Sequence, residues 1–272
     1  MKSLNQFIQE SLIIENSKND YGYQPKNKEE LQEIIKQRIA KEGVKADLND
    51  IDVSHITDMS ELFYQSHFDG DMSKWDVSQV TKMTHMFAKS AFDGDISEWD
   101  VSNVKDMFGM FARSRFEGDI AKWDVSNVHI MSYMFADSIF DGDISEWDVS
   151  NVFSMHSMFE HSHFNGDISK WDVSNVDNMS SMFERSSFNQ DISKWDVSNV
   201  EEMENMFLYS KFEGDISKWD VSNVINMNSM FKGCLNFNQD ISNWDVSRVR
   251  NSEDIFDECP IEEKYKPKFK WK

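Results

Sequence analysis

Apolar residues return along this chain on a fixed ruler. Tryptophan stands at Trp75, Trp99, Trp123, Trp147, Trp171, Trp195 and Trp219, one every 24 residues, and again at Trp244 after a step of 25. The extra residue falls between Phe231 and Phe237. Counting back one period from Trp75 reaches Ile51, inside a degenerate first unit. Self-similarity at this period marks a repeat architecture, in which a unit buries its apolar face only against its neighbours. In the unit from Phe92 to Ser114, Trp99 and Val101 flank Asp100, the alternation of a strand with one buried face. Val104, Met107, Met110 and Phe111 follow at the spacing of one face of a short helix. The pattern predicts an α/β repeat solenoid with one short parallel strand and one short helix per 24-residue unit.

The joints support that reading. Ser102 stands where a helix N-cap would accept from first-turn N–H groups, and Ser198 with Glu201 fits a capping box. Gly70, Gly94, Gly118, Gly142, Gly166 and Gly214 share the column of the turn back towards the strand. Asn189-Gln190 and Asn238-Gln239 replace the glycine-containing pair in two units, so positive φ is not required there. Ile96, Trp99 and Val101 also fit the L-x-x-L-x-L spacing of leucine-rich repeats. Before the array, Leu31, Ile34, Ile35 and Ile39 predict a helical N-terminal cap ending near Gly43. The chain thus divides into an amphipathic segment and linker (1–26), a helical cap (27–47), the array (48–259) and a basic aromatic tail (260–272). In the tail, lysines from Lys264 to Lys272 alternate with Tyr265, Pro267, Phe269 and Trp271, a composition suited to folding across an acidic array.

Charge narrows the partners. The formal net charge of −21 argues against nucleic acid, whose phosphates would be repelled. No run is long and apolar enough to span a membrane. Residues 1–16 lack the continuous apolar stretch of a secretory signal, which favours a cytoplasmic or virion-associated protein over an exported one. A monomer binding a protein or a glycan, with no cofactor, is the expected form.

Several residue sets invite chemistry. The M-x-x-M pairs, such as Met107 and Met110, resemble soft-metal spacing but lie on the face that must be buried. One aspartate per unit, from Asp76 to Asp245, forms a column. Like charges about 4.8 Å apart repel by about 1 kcal/mol in water and about 3–4 kcal/mol at an effective dielectric near 20. Hydrogen bonds from serine or backbone N–H groups would offset that. The alternative is calcium shared between columns, for example by Asp95, Asp100, Asp119 and Asp124. The seven histidines give no zinc constellation, and no catalytic triad or phosphate loop is present. Cys234 and Cys259 each lie three residues after a ladder phenylalanine, as a disulfide or as two buried thiols. Phe108, Ile130, Tyr133 and Phe153 cluster in successive units, as an exposed partner-binding patch or as side chains partly buried between units.

The unit Asp143-Ile144-Ser145-Glu146-Trp147-Asp148-Val149-Ser150-Asn151-Val152 resembles the repeat of the BspA-type leucine-rich-repeat surface proteins, found also in mycoplasma lipoproteins. The resemblance covers about Leu48 to Cys259 and implies a solenoid with an adhesion or protein-interaction role and no enzymatic activity. A second resemblance lies in Met1 to Glu10, similar to the capsid-targeting leaders of internal head proteins in T-even-type phages, with Ile13-Ile14-Glu15 as the cleavage step. It implies an internal phage head protein. A calcium-stabilised structural solenoid is the third alternative.

Overall fold

A computed structural model of the chain describes residues 21–269. The leader-like segment Met1–Glu10 and the Ile13-Ile14-Glu15 step lie outside the described residues. The α-helix present, α1, runs Lys28–Glu42. Asn27 caps it, its side chain accepting from the Glu30 N–H at 2.9 Å. Gly43, at φ 87°, closes it with its own N–H donating to Ile39 O. Leu31, Ile34 and Ile35 are buried. Arg38 reaches from α1 to Asp50 at 2.6 Å and to the Asp47 carbonyl at 2.6 Å. That pins the helix to the first turns of the array.

Past α1, consecutive stretches of 24 residues lie on one another. The interior is aromatic. Each ladder tryptophan is 3–5% exposed, and its indole N–H donates to a carbonyl of the previous unit, as Trp123 Nε1 does to Ile96 O at 3.0 Å. Two phenylalanine ladders run beside it. Phe87, Phe111, Phe135 and Phe159 stack at centroid spacings of 5.6–5.8 Å, and Phe92, Phe116 and Phe140 at 6.2–6.3 Å. The methionine pairs are fully buried among them, as filling for the gaps between rings.

The helix expected over the Val104–Phe111 pattern does not form. Among the described residues the units contain neither helix nor extended strand. The apolar spacing of three and four residues is met instead by overlapping tight turns. The N–H groups of Met86, Ala88 and Ser90 each donate to the carbonyl three residues back, at 3.1 Å. The intervening N–H groups of Met83, His85, Phe87 and Lys89 donate outward to Asp106, Phe108, Met110 and Ala112 of the next unit, at 2.7–2.9 Å. Alternate donors thus serve the turn and the stack, leaving no i−4 helical bond to make. This geometry puts two residues per unit in the left-handed region, His85 (φ 52°) and Lys89 (φ 56°) in one unit, Tyr133 (φ 59°) and Asp137 (φ 52°) in another. The column is repeated from Glu61 and Gln65 to Asp254 and Glu258.

The expected Trp-Asp-Val strand is likewise broken by turns. Trp99 N–H donates to Ile96 O and Val104 N–H to Val101 O. Among the described residues parallel pairing is limited to single bridges, most of them in another column, Lys82 to Asp106 to Ile130 to Ser154 and onward, with Tyr23 to Ile51 and Asp47 to Asp71 near the N-terminal end. Ser102, expected to cap a helix, instead gives its N–H to the Asp100 carboxylate at 3.1 Å. The glycine column has no left-handed φ. A Cβ on Gly94 would sit 2.7 Å from the Phe92 ring, so glycine there admits the ring. The extra residue of the 25-residue unit bulges outward as Leu235, 69% exposed, and Phe237 stays buried in register.

The last unit is covered by the tail. Ile261 is buried, Ile241 N–H donates to Tyr265 O at 3.0 Å, and Tyr265 and Phe269 pack against the core. Lys264 and Lys266 pair with Glu262 and Glu263 of the tail itself. Deleting the Trp147 indole removes packing on both sides and one of the two donors to the Ile120 carbonyl. Trp147→Ala should therefore lower unfolding stability by about 3–5 kcal/mol in urea denaturation, and a loss below about 1 kcal/mol would contradict the interior ladder.

Candidate functional site

On a frame this regular, a site arises where columns change character. The position after the second ladder phenylalanine of each turn ribbon carries Tyr64, Glu160, Glu184, Leu208 and Lys232 in five units, but Ala88, Ala112 and Ala136 in three successive ones. The three alanines floor a groove of about 620 Å³ running across those units. Glu61 and Tyr64 close one end and Glu160 the other.

One wall is a ladder of rings. Tyr64, His85, Phe108, Tyr133 and His156 follow one another at centroid distances of 6.2, 5.1, 5.3 and 4.9 Å. From His85 to His156 the rings alternate between two adjacent columns, while Tyr64 stands in the column of the alanines. Gly109 makes this possible. It takes the left-handed φ of its column (59°), and a Cβ there would stand 2.3 Å from His85 Nδ1. At the far end His156 Nδ1 is 3.0 Å from Ser180 O, a contact that only a protonated Nδ1 satisfies. In the neutral ring Nε2 then accepts from the Tyr133 hydroxyl at 2.8 Å, which locks both rings.

The other wall is charged. Lys89 lies over the Tyr64 ring, 5.4 Å from its centroid, and donates to the Tyr64 hydroxyl at 3.1 Å. Arg113 Nε lies 2.9 Å from Asp137 Oδ2. The groove therefore offers aromatic faces on one side, fixed cations opposite and carboxylates at its ends. That arrangement is chemically suited to a ligand with apolar faces and polar edges.

Of the residues singled out for partner binding, Phe108 and Tyr133 line this groove. Ile130 and Phe153 do not line it. Ile130 is half-buried on the bridge column, and Phe153 is 43% exposed beside the His129 ring at 6.3 Å. The alanine floor has a plain signal in the sequence, a small residue at one offset in three consecutive units. The cationic wall shows up in the sequence once that floor is aligned.

A family model described as Mycoplasma protein of unknown function, DUF285, matches the chain over 30–139, 114–211 and 186–266. The chain belongs to the DUF285 family. No curated protein and no solved structure matches it. The groove falls within the first two DUF285 matches. Among the described residues of this DUF285 chain, no helix is long and apolar enough to cross a membrane.

The aspartate columns are held by hydrogen bonds from their own units. Asp95 accepts from the Ser97 N–H at 3.0 Å, Asp100 from Ser102 N–H and hydroxyl at 3.1 and 2.6 Å, Asp119 from Ala121 N–H at 2.9 Å, and Asp124 from Ser126 N–H at 3.0 Å. These four do not converge as a ligand set. Among the described residues, the group of three that meets a metal-holding spacing is Glu160, His161 and Glu184. Cys234 and Cys259 are free thiols. Burial pushes Cys234 up to about 12, so its thiol stays protonated at neutral pH.

These turns carry a pH signature. The Ser97 backbone N–H first, then its hydroxyl, holds Asp95 below the usual carboxylate range. The Ser102 hydroxyl, then its N–H, does the same for Asp100, and Ser150 for Asp148. A depressed folded pKa contributes stability above the unfolded value, and that contribution is lost as pH falls through the folded one. Burial, then Glu201, raises Asp177; this acts in the opposite sense, its contribution present at low pH and lost as pH rises. Because depressed carboxyls recur along the array, net stability should fall on acidification below about pH 4. In carboxyl NMR titrations Asp100 should move upward in Ser102→Ala. An unchanged Asp100 titration in that variant would contradict this account.

Proposed function

We propose that this chain is a non-enzymatic interaction scaffold, that its stacked units form a leucine-rich-repeat-like solenoid in which tight turns stand in for strand and helix, and that the alanine-floored groove is its partner-binding surface. The single observation carrying the reading is the run of Ala88, Ala112 and Ala136 beneath the Tyr64-to-His156 ring ladder. Uniform columns serve the frame; this break spans three units and opens a concave, aromatic, partly cationic surface. The repeated family match supports a repeat protein, and the resemblance to BspA-type surface repeats supports an adhesion or interaction role. The aspartates that could otherwise suggest hydrolysis accept backbone N–H groups in the repeated turns. The fitting partner is a protein segment or glycan whose flat apolar faces stack on Phe108 and Tyr133 and whose anionic or hydroxyl edges meet Lys89 and Arg113.

Filling the groove tests this directly. The full chain, Ala112→Trp and Arg113→Glu would be applied to a glycan array and to a peptide array. The wild-type chain should retain a defined set of glycans or peptides. Both variants should weaken that retention by about ten-fold or more while unfolding at the wild-type temperature. Retention of nothing by the wild type, or equal retention by Ala112→Trp, would count against the groove as the partner surface.

A further inference from the structure

We infer that Glu160, His161 and Glu184 form a binding site for a divalent cation of the zinc class. The inference stands apart from the groove's proposed partner. Glu160 and Glu184 occupy one column in adjacent units, and His161 lies between them, held by its N–H donating to Glu184 O at 2.7 Å. The ligand atoms of the three side chains lie within 4.8 Å of one another. Zinc bonds to histidine nitrogen and carboxylate oxygen are about 2.0–2.2 Å long, so modest rotamer changes in these incompletely buried side chains would close the site.

The imidazole is already oriented. His161 Nδ1 lies 3.1 Å from Asp137 Oδ1, while Asp137 Oδ2 is held by Arg113 at 2.9 Å. A proton on Nδ1 satisfies that carboxylate and leaves the Nε2 lone pair for a metal, the support usual behind a ligating histidine. The two glutamates, in contrast, repel. Glu160 and Glu184 carry like charge on adjacent units, and their ligand oxygens lie within 4.8 Å of each other. The neighbouring Arg185 stacks its guanidinium 5.3 Å over the Tyr209 ring. A cation between the carboxylates would relieve that repulsion. One imidazole and two carboxylates suit zinc, whereas calcium takes six to eight oxygens. Three protein ligands leave a coordination position open, and because Glu160 also closes the groove, a bound cation would add positive charge at that end.

The test is calorimetric titration of the full chain with zinc chloride and, separately, calcium chloride. The wild type and His163→Gln, a histidine outside the set, should show one saturable zinc site. His161→Gln and Glu184→Gln should lose it, with the metal-free unfolding temperature unchanged. Asp137→Asn, which weakens the support behind His161 and the pair with Arg113 but removes no ligand, should keep the site and weaken it by about 10–100-fold. Absence of saturable zinc heat in the wild type, wild-type affinity in His161→Gln, or calcium binding as tight as zinc would each overturn the assignment.

Discussion

Backbone N–H groups buried between stacked layers must find acceptors, and this requirement organises the chain. In each turn ribbon the donors alternate, one closing a turn in its own unit and the next bonding a carbonyl of the following unit. The alternation is possible only if two residues per unit adopt a left-handed backbone, at a cost of order 1–3 kcal/mol each for non-glycine residues. Three ladder aromatics per unit offset it. Burying about 150–250 Å² per ring at about 25 cal/mol/Å² contributes about 4–6 kcal/mol for each. The rings can stack only because the ribbon sets adjacent units at one spacing, and the indole N–H is satisfied by the same stacking through a carbonyl one unit away. Ring ladder and backbone ladder each supply what the other lacks.

The period could be read from the tryptophans alone, as could the degenerate unit at Ile51 and the site of the extra residue, because burial of large rings tolerates no slip in register. Local conformation was not legible. Spacings of three and four residues among Val104, Met107, Met110 and Phe111 satisfy a helix, and they equally satisfy overlapping turns of two-residue step. The usual marker of left-handed backbone is glycine or asparagine, yet these columns carry His85, Lys89, Arg113, Tyr133 and Arg185. Here a donor-acceptor pattern running between units overrides local preference. That pattern depends on which carbonyl lies above, which no single window of sequence contains.

The candidate groove was half legible for a related reason. Phe108 and Tyr133 stood out as large residues at variable positions, but a groove is defined by what is missing, and three alanines attract no notice until the units are aligned. Ile130 and Phe153 look equivalent to Phe108 in sequence. They diverge in space because a shift of two residues puts Ile130 on the bridge column and a shift of three puts Phe153 just before it, both off the ring ladder.

The acidic character of the chain belongs to its frame. The aspartates of the two turn columns are each tied to a serine or alanine N–H two residues on, and they recur in every unit whether or not a groove lies nearby. A charge repeated along the whole array cannot distinguish one stretch of surface from another. It sets a uniformly negative background against which departures count. Lys89 and Arg113 on adjacent units depart from it beside half-buried aromatic rings, and Glu61, Asp137 and Glu160 line the same groove, so this stretch is mixed in charge where the frame is acidic. What distinguishes one stretch of surface from another therefore resides in the columns that the fold leaves free to vary.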